Sequence, residues 1–408
     1  MIRILHTADW HLGQTLAGFD RSAEHEAALR QLLDWIVSRD VDALIVAGDV
    51  FHTANPPVAA QHMLFRFLRE IAEAAPRTDV IVIAGNHDSG SRLELPAALA
   101  APQIRIYGAP GRRHGGVDPE ATLAPLTNAR GEVAAIAAAL PYPRPGDLAD
   151  FGPGATGEGA SPKASQGASE GASQAPPIAE RGDARRPVKA FLCSAAAAAA
   201  RRWPGAPLVV VTHLHVTGGL GGGEEERPIL IGGEPSIPLS DFPPGAAYVA
   251  LGHLHRPQTL QGAPRAVYAG PPIPLSNDEA AHVQSAALVE ISPRDARDAD
   301  GVHLEIERLP FQRTRGFLRA PERGAAPPAA LETILRNLAA RVREDPEARA
   351  APPFLEVCVA LDAPEPDLRR KVDLALADAP VRLTRIRRER PAAQKKAAED
   401  GADAPRAG

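Results

Sequence analysis

Five times along this 408-residue chain a short apolar run ends in a cluster of Asp, Asn, His and Gly. Ile4-Leu5-His6 leads into Asp9-Trp10-His11, and residues 43–47 lead into Gly48-Asp49-Val50-Phe51-His52. Residues 80–84 lead into Gly85-Asn86-His87-Asp88, 209–212 into His213-Leu214-His215, and 249–251 into Gly252-His253-Leu254-His255. Continuous apolar runs of this length read as buried strands of a largely parallel sheet. Sheets of that kind carry their chemistry at the carboxyl ends of the strands. Each motif alone reads equally well as a capped turn or a satisfied polar group. Five in succession describe one polar site at the end of a sheet.

Between the first strands lie helical patterns. Residues 23–37 place Ala27, Leu29, Leu32, Leu33 and Ile36 on one face. Residues 56–75 carry a stripe of Ala60, Leu64, Leu68 and Ile71, widened by Met63 and Phe67, with Phe65 lying off it. The first hundred residues are therefore an α/β core. From 152 to 187 the only bulky aliphatic is Ile178, and Gly-Ala-Ser recurs. Such a stretch cannot offset its ordering entropy and is expected to be a disordered surface insertion, dispensable for folding. Strand signals at 208–211, 247–251, 267–269 and 286–291 predict a second, partly antiparallel sheet. Beyond residue 300, strands at 303–309, 316–319, 354–361 and 381–386 and helices at 329–342 and 367–377 predict a small α+β module. The expected domains are 1–300, 301–387 and a disordered tail, 388–408.

Charge narrows the function classes. With 45 basic and 50 acidic residues the net charge is −5, which excludes a generally basic nucleic-acid coat. If DNA is the partner, a local patch or a metal site must hold it. The basic residues are nearly all arginine, which with the abundant Ala, Gly and Pro reads as the imprint of a GC-rich genome. Two cysteines, Cys193 and Cys358, exclude a disulfide scaffold and a thiolate zinc site. No Gly-x-x-x-x-Gly-Lys-[Ser/Thr] occurs, so no ATP-binding P-loop is expected. The N-terminus has no signal-peptide pattern and no apolar run approaches 18 residues, so a cytoplasmic protein is expected.

The strand-end residues offer oxygen and nitrogen ligands only. Asp9, His11, Asp49, Asn86, His213, His253 and His255 make a set suited to Mn²⁺, Fe²⁺ or Zn²⁺. With one bridging carboxylate they suffice for two ions. The ordered motifs resemble those of the calcineurin-like metallophosphoesterases. The flanking words narrow the match: His6-Thr7-Ala8-Asp9-Trp10-His11-Leu12-Gly13-Gln14, Val46-Ala47-Gly48-Asp49-Val50-Phe51, the stretch from Ala247 to Arg256, and Gly270-Pro271-Pro272-Ile273-Pro274-Leu275-Ser276. These resemble the SbcD family, the nuclease subunits of bacterial SbcC–SbcD complexes and kin of the Mre-type double-strand-break nucleases. The resemblance spans about 1–140 and 205–385.

That resemblance implies a four-layer α-β-β-α metallophosphoesterase sandwich with a small C-terminal α+β capping domain. It implies two Mn²⁺ ions, one held by Asp9, His11, Asp49 and His255 and the other by Asp49, Asn86, His213 and His253. His87 is then the catalytic histidine, oriented by Asp88. His52 is placed either at a substrate-phosphate contact or behind the ligands, and His215 behind them. The implied activity is hydrolysis of DNA phosphodiesters in repair and recombination: 3′→5′ exonuclease on duplex ends and endonuclease on single strands and hairpins. The implied partners are an SbcC ATPase subunit, duplex and hairpin DNA, and a second copy of the chain, met through the 56–75 helix and Phe65. Gly270-Pro271-Pro272 departs from the family's Gly-Ser-Pro. Two other readings stay open: a phosphoesterase acting on phosphoproteins, cyclic nucleotides or nucleotide-lipids, and a non-catalytic DNA-end scaffold. The SbcD-like words count against the first and the complete ligand set against the second.

Overall fold

The computed structural model describes residues 1–113, 116–151, 185–221, 236–293 and 302–389. The chain forms two compact units: Met1–Gln14 with His25–Phe311, and Thr15–Glu24 with Gln312–Gly408.

The larger unit holds two six-stranded sheets. In the first, Ile2–Thr7, Ala43–Ala47, Asp79–Ile83 and Ile104–Tyr107 run parallel. In the second, Val133–Leu140, Leu208–His213, Ala246–Gly252 and Ala266–Tyr268 are parallel, with Leu123–Thr127 and Gln258–Thr259 antiparallel at the edges. Alternate side chains point to opposite faces of a strand. Ile2, Ile4, Ile45, Ile81 and Ile83 from one sheet therefore meet Val209, Val211, Tyr248, Ala250 and Val267 from the other in a dry layer. The opposite face of the first sheet, with Leu5, Leu44, Val46, Val80 and Val82, packs under the helices Ser22–Ser38 and Val58–Ala74. On the second sheet, Val210, Val249 and Leu251 pack under Val188, Phe191, Leu192 and Ala195 of the helix Arg185–Arg202. Helix, sheet, sheet, helix is the four-layer order expected from the sequence.

Strand assignments differ in several places. Ile104–Tyr107, Leu123–Thr127 and Gln258–Thr259 are strands that are not expected from the sequence. The strand Ser285–Pro293, expected in the second sheet, pairs antiparallel with Ile2–Thr7 in the first, with Ile2 opposite Ile291. The strand Val302–Pro310, expected in the C-terminal module, pairs with Ser285–Pro293 and closes the edge of that same sheet. Its alternation explains this: Val302, Leu304 and Ile306 pack on the inter-sheet core, while His303, Glu305 and Glu307 are exposed. The strand Val133–Leu140 gives no sequence signal because its inward face is Ala135, Ala137 and Ala139, residues of low strand propensity.

The expected insertion falls almost wholly on 152–184, outside the described residues, and 185–187 belong to the helix Arg185–Arg202. Most of the expected tail also lies outside them, but Arg388 and Glu389 continue the strand Arg382–Glu389. No helix among the described residues is long and apolar enough to cross a membrane.

In the smaller unit, Phe317–Ala320, Phe354–Ala360 and Arg382–Glu389 form a parallel sheet. Leu355, Val357 and Val359 pack with Leu335, Leu338 and Val372 from its helices. Arg21, fully buried, donates two hydrogen bonds to Glu24 (2.9 and 2.7 Å) and lies 4.9 Å from the Phe354 ring centre. These contacts hold residues 15–24 to the C-terminal sheet.

Candidate metal centre

All five strand-end motifs converge, three from the first sheet and two from the second. The backbone turns sharply at four of the seven candidate ligands. Asp9 (φ 54°), His11 (46°), Asp49 (49°) and His253 (101°) occupy the left-handed region. Each such residue costs about 1–3 kcal/mol and persists only where its surroundings fix it. Here hydrogen bonds do so: Asp9 N–H to the Gly48 carbonyl (3.0 Å), His11 N–H to the Asp49 carbonyl (2.9 Å), His253 N–H to Asp9 Oδ1 (2.8 Å) and His87 N–H to Asp49 Oδ1 (2.9 Å).

Asp49 sits at the centre, its Oδ2 3.5 Å from His11 Nε2 and 3.4 Å from His213 Nε2. Asn86 Oδ1 lies 2.9 Å from His213 Nε2 and 3.3 Å from His253 Nδ1. Ligand atoms of Asp9, His11 and His255 fall within 4.8 Å of one another, as do those of Asp9, Asp49 and His213. Thus all seven expected ligand residues are neighbours.

The donor set fits divalent cations. Asp9 Oδ2 and His11 Nε2 are buried without a hydrogen-bond partner, a costly arrangement unless something positive lies between them. Burial raises the Asp9 pKa to about 6, above the carboxylate range. Burial works against charge on His213 too, but the Asp49 carboxylate outweighs it and pushes that pKa up to about 9. Burial likewise opposes charge on Asp49, yet the facing His213 and His11 hold it well below the ordinary range. His213 donates from Nδ1 to the Ala47 carbonyl (2.9 Å), which leaves Nε2 facing Asn86 and Asp49.

Behind the ligands the structure departs from expectation at Asp88. Its carboxylate does not orient His87. It is fully buried and accepts N–H bonds from Val50 (3.0 Å), Phe51 (2.8 Å) and Gly85 (2.9 Å), stapling two ligand loops together. Sequence adjacency misleads because consecutive side chains of a turn point apart. The His87 ring is instead held by donation from Nδ1 to the His52 carbonyl (2.9 Å), and the residue is exposed. The half-buried His52 lies with Nδ1 3.3 Å from His11 Nδ1 and its ring stacked 5.8 Å from that of His87. Burial lowers its pKa. His215 is half-buried, its ring 6.3 Å from that of His253. Sequence reasoning missed Glu279, a buried carboxylate 3.0 Å from His255 Nδ1.

The glycines of the motifs leave room for close approach of neighbouring strand ends. A Cβ on Gly85 would lie 2.1 Å from Asp49 Oδ1, and one on Gly252 1.9 Å from the Ala47 carbonyl oxygen. Gly85→Ala is therefore expected to displace Asp49, lowering stability by about 1–3 kcal/mol and reducing bound divalent metal. Thermal melts and metal analysis check this; a variant matching the wild type in both would contradict it.

Residues 2–129 match the calcineurin-like phosphoesterase family. Residues 325–406 match the family described as type 5 capsule protein repressor C-terminal domain. Three curated relatives are named as the SbcD component of the SbcCD nuclease. The one from Rhodobacter capsulatus is 37% identical over 97% of this chain and 90% of its own length. That from Escherichia coli K12 is 29% identical over 95% and 86%. That from Bacillus subtilis is 33% identical over 72% and 67%.

Proposed function

Because the chain belongs to the SbcD family of nucleases, with a calcineurin-like metallophosphoesterase domain, we propose that it hydrolyses DNA phosphodiesters with two Mn²⁺ ions, as the partner of an SbcC-type ATPase. It is a DNA nuclease subunit, and its family implies divalent metal ions. The observation that carries the finer reading is the pair of unpartnered buried atoms, Asp9 Oδ2 and His11 Nε2, beside the central Asp49 carboxylate.

On this reading Asp9, His11, Asp49 and His255 hold one ion, and Asp49, Asn86, His213 and His253 the other. When bound, two such cations lower the pKa of the attacking water and clamp the phosphate oxygens. The chain's own residues do the rest. His87, tied through Nδ1 to the His52 carbonyl, presents Nε2 to the scissile phosphate. There it stabilises developing charge and protonates the leaving oxygen. His52, beside it, contacts a phosphate oxygen. Asp88 holds the loops bearing Asp49 and Asn86 at fixed separation. The substrates are duplex ends, cut 3′→5′, and single-stranded or hairpin segments.

The test is purified protein with Mn²⁺, Mg²⁺ or Zn²⁺ on linear duplex DNA, hairpin DNA and a generic phosphodiester dye, with and without the ATPase subunit. Cleavage of the dye but of neither DNA would overturn the nuclease reading.

A second copy of the chain docks on the helix Val58–Ala74. Its stripe of Ala60, Leu64, Leu68 and Ile71 is buried in the core, which leaves Phe65 exposed on the other side. Phe65→Glu is expected to halve the mass seen by light scattering at low micromolar concentration, with bound metal unchanged. An unchanged mass would remove this face from the interface.

A further inference from the structure

We propose that Glu279 is a positioning residue for one of the two cations, acting through the imidazole of His255; this rests on the metal reading above. Glu279 is only 2% exposed, and a buried carboxylate needs partners. Its Oε1 lies 3.0 Å from His255 Nδ1, and its Oε2 accepts the Leu275 N–H (2.9 Å). Ser276 Oγ lies 3.4 Å from Oε1 and 3.3 Å from the Glu279 N–H. The loop that carries it is fixed in turn, since Gln14 donates from Nε2 to the Leu275 carbonyl (2.9 Å). The carboxylate is thus held still while it faces the ring.

An imidazole that donates Nδ1–H to a carboxylate keeps its lone pair on Nε2, the nitrogen left to bind a cation. The negative charge behind the ring also makes that lone pair more basic. The other ion has a different backing. His213 donates from Nδ1 to the neutral Ala47 carbonyl (2.9 Å). Counting donors, the ion at His255 has two carboxylates, Asp9 and Asp49, plus a carboxylate behind an imidazole. Its neighbour has one carboxylate, Asp49, and the amide of Asn86. The two ions are therefore bound unequally, the one at His255 more tightly, and Glu279 is part of the reason.

The experiment is titration of the full-length protein with Mn²⁺ alone, free Mn²⁺ being followed by its electron paramagnetic resonance signal. Wild type is expected to bind two ions with distinct affinities. Glu279→Ala should weaken the tighter site by about 10–100-fold and leave the other little changed. Glu279→Gln keeps an acceptor for His255 Nδ1 and the fold of the loop but not the charge, and should recover part of the loss. In a His255→Ala background Glu279→Ala should add nothing. Wild-type affinities at both sites in Glu279→Ala would overturn the proposal. So would a folded Glu279→Gln that binds like Glu279→Ala, or an undiminished effect without His255, which would mean a structural role for the loop. Wild-type protein that binds no pair of Mn²⁺ ions would remove the metal reading itself, and this one with it.

Discussion

Asp49→Asn is expected to deprive both cations of a ligand in one step. The Asp49 carboxylate is the group shared between His11 on one side and His213 on the other. An amide keeps an oxygen to accept the His87 N–H, so the turn survives. It removes the negative charge that the two proposed cations would share and that faces the His213 imidazole. On the proposed two-ion reading, bound divalent metal should fall at both sites. Nuclease activity should fall by more than about 10³-fold, because removing a single electrostatic stabiliser of a transition state already costs about 10²–10³. Elemental analysis of the dialysed protein and cleavage of linear duplex DNA check this. A variant that keeps both ions would take Asp49 out of the bridging position.

His87→Asn separates catalyst from ligand. The His87 side chain is exposed, and its described hydrogen bond is to the His52 carbonyl, through Nδ1. Asparagine can keep a donor to that carbonyl but carries no imidazole nitrogen to move a proton. Metal content and DNA binding should stay near the wild-type level while turnover drops by about 10²–10⁴-fold. Cleavage at the wild-type rate would mean that His87 only packs its turn. Loss of metal would mean that it is a ligand. The two variants together give opposite patterns, one losing ions and rate, the other rate alone.

The clustering of the seven candidate ligands can be read from the sequence because polar strand ends and strand burial write the same signal. Each of Asp9, Asp49, Asn86, His213 and His253 follows an apolar run closely enough that the sheet must deliver it to one edge. Glu279 is not legible in this way. It stands 24 residues beyond His255 in a loop without periodicity, and only the fold brings it behind the ring. Asp88 misleads for the converse reason, since its neighbour in sequence is not its neighbour in space. The same holds for larger elements. The helix Arg185–Arg202 carries a run of six alanines and adjoins a stretch of low complexity, so its apolar face, Val188, Phe191 and Leu192, is thin. Ser285–Pro293 reads as a strand but not as the partner of Ile2–Thr7, because no local pattern encodes a pairing between distant segments.

That distant pairing orders events in time. Ile2–Thr7 lies between Ala43–Ala47, made soon after it, and Ser285–Pro293, made only after every strand of the second sheet. Until that late arrival one edge of the strand stays unpaired, an open template for wrong partners. Closure across so long a loop is also slow. The nascent chain therefore spends much of its synthesis as an incomplete sheet, and a substitution that weakens Ser285–Pro293 should act first as a loss of soluble yield during expression and only later as a loss of activity.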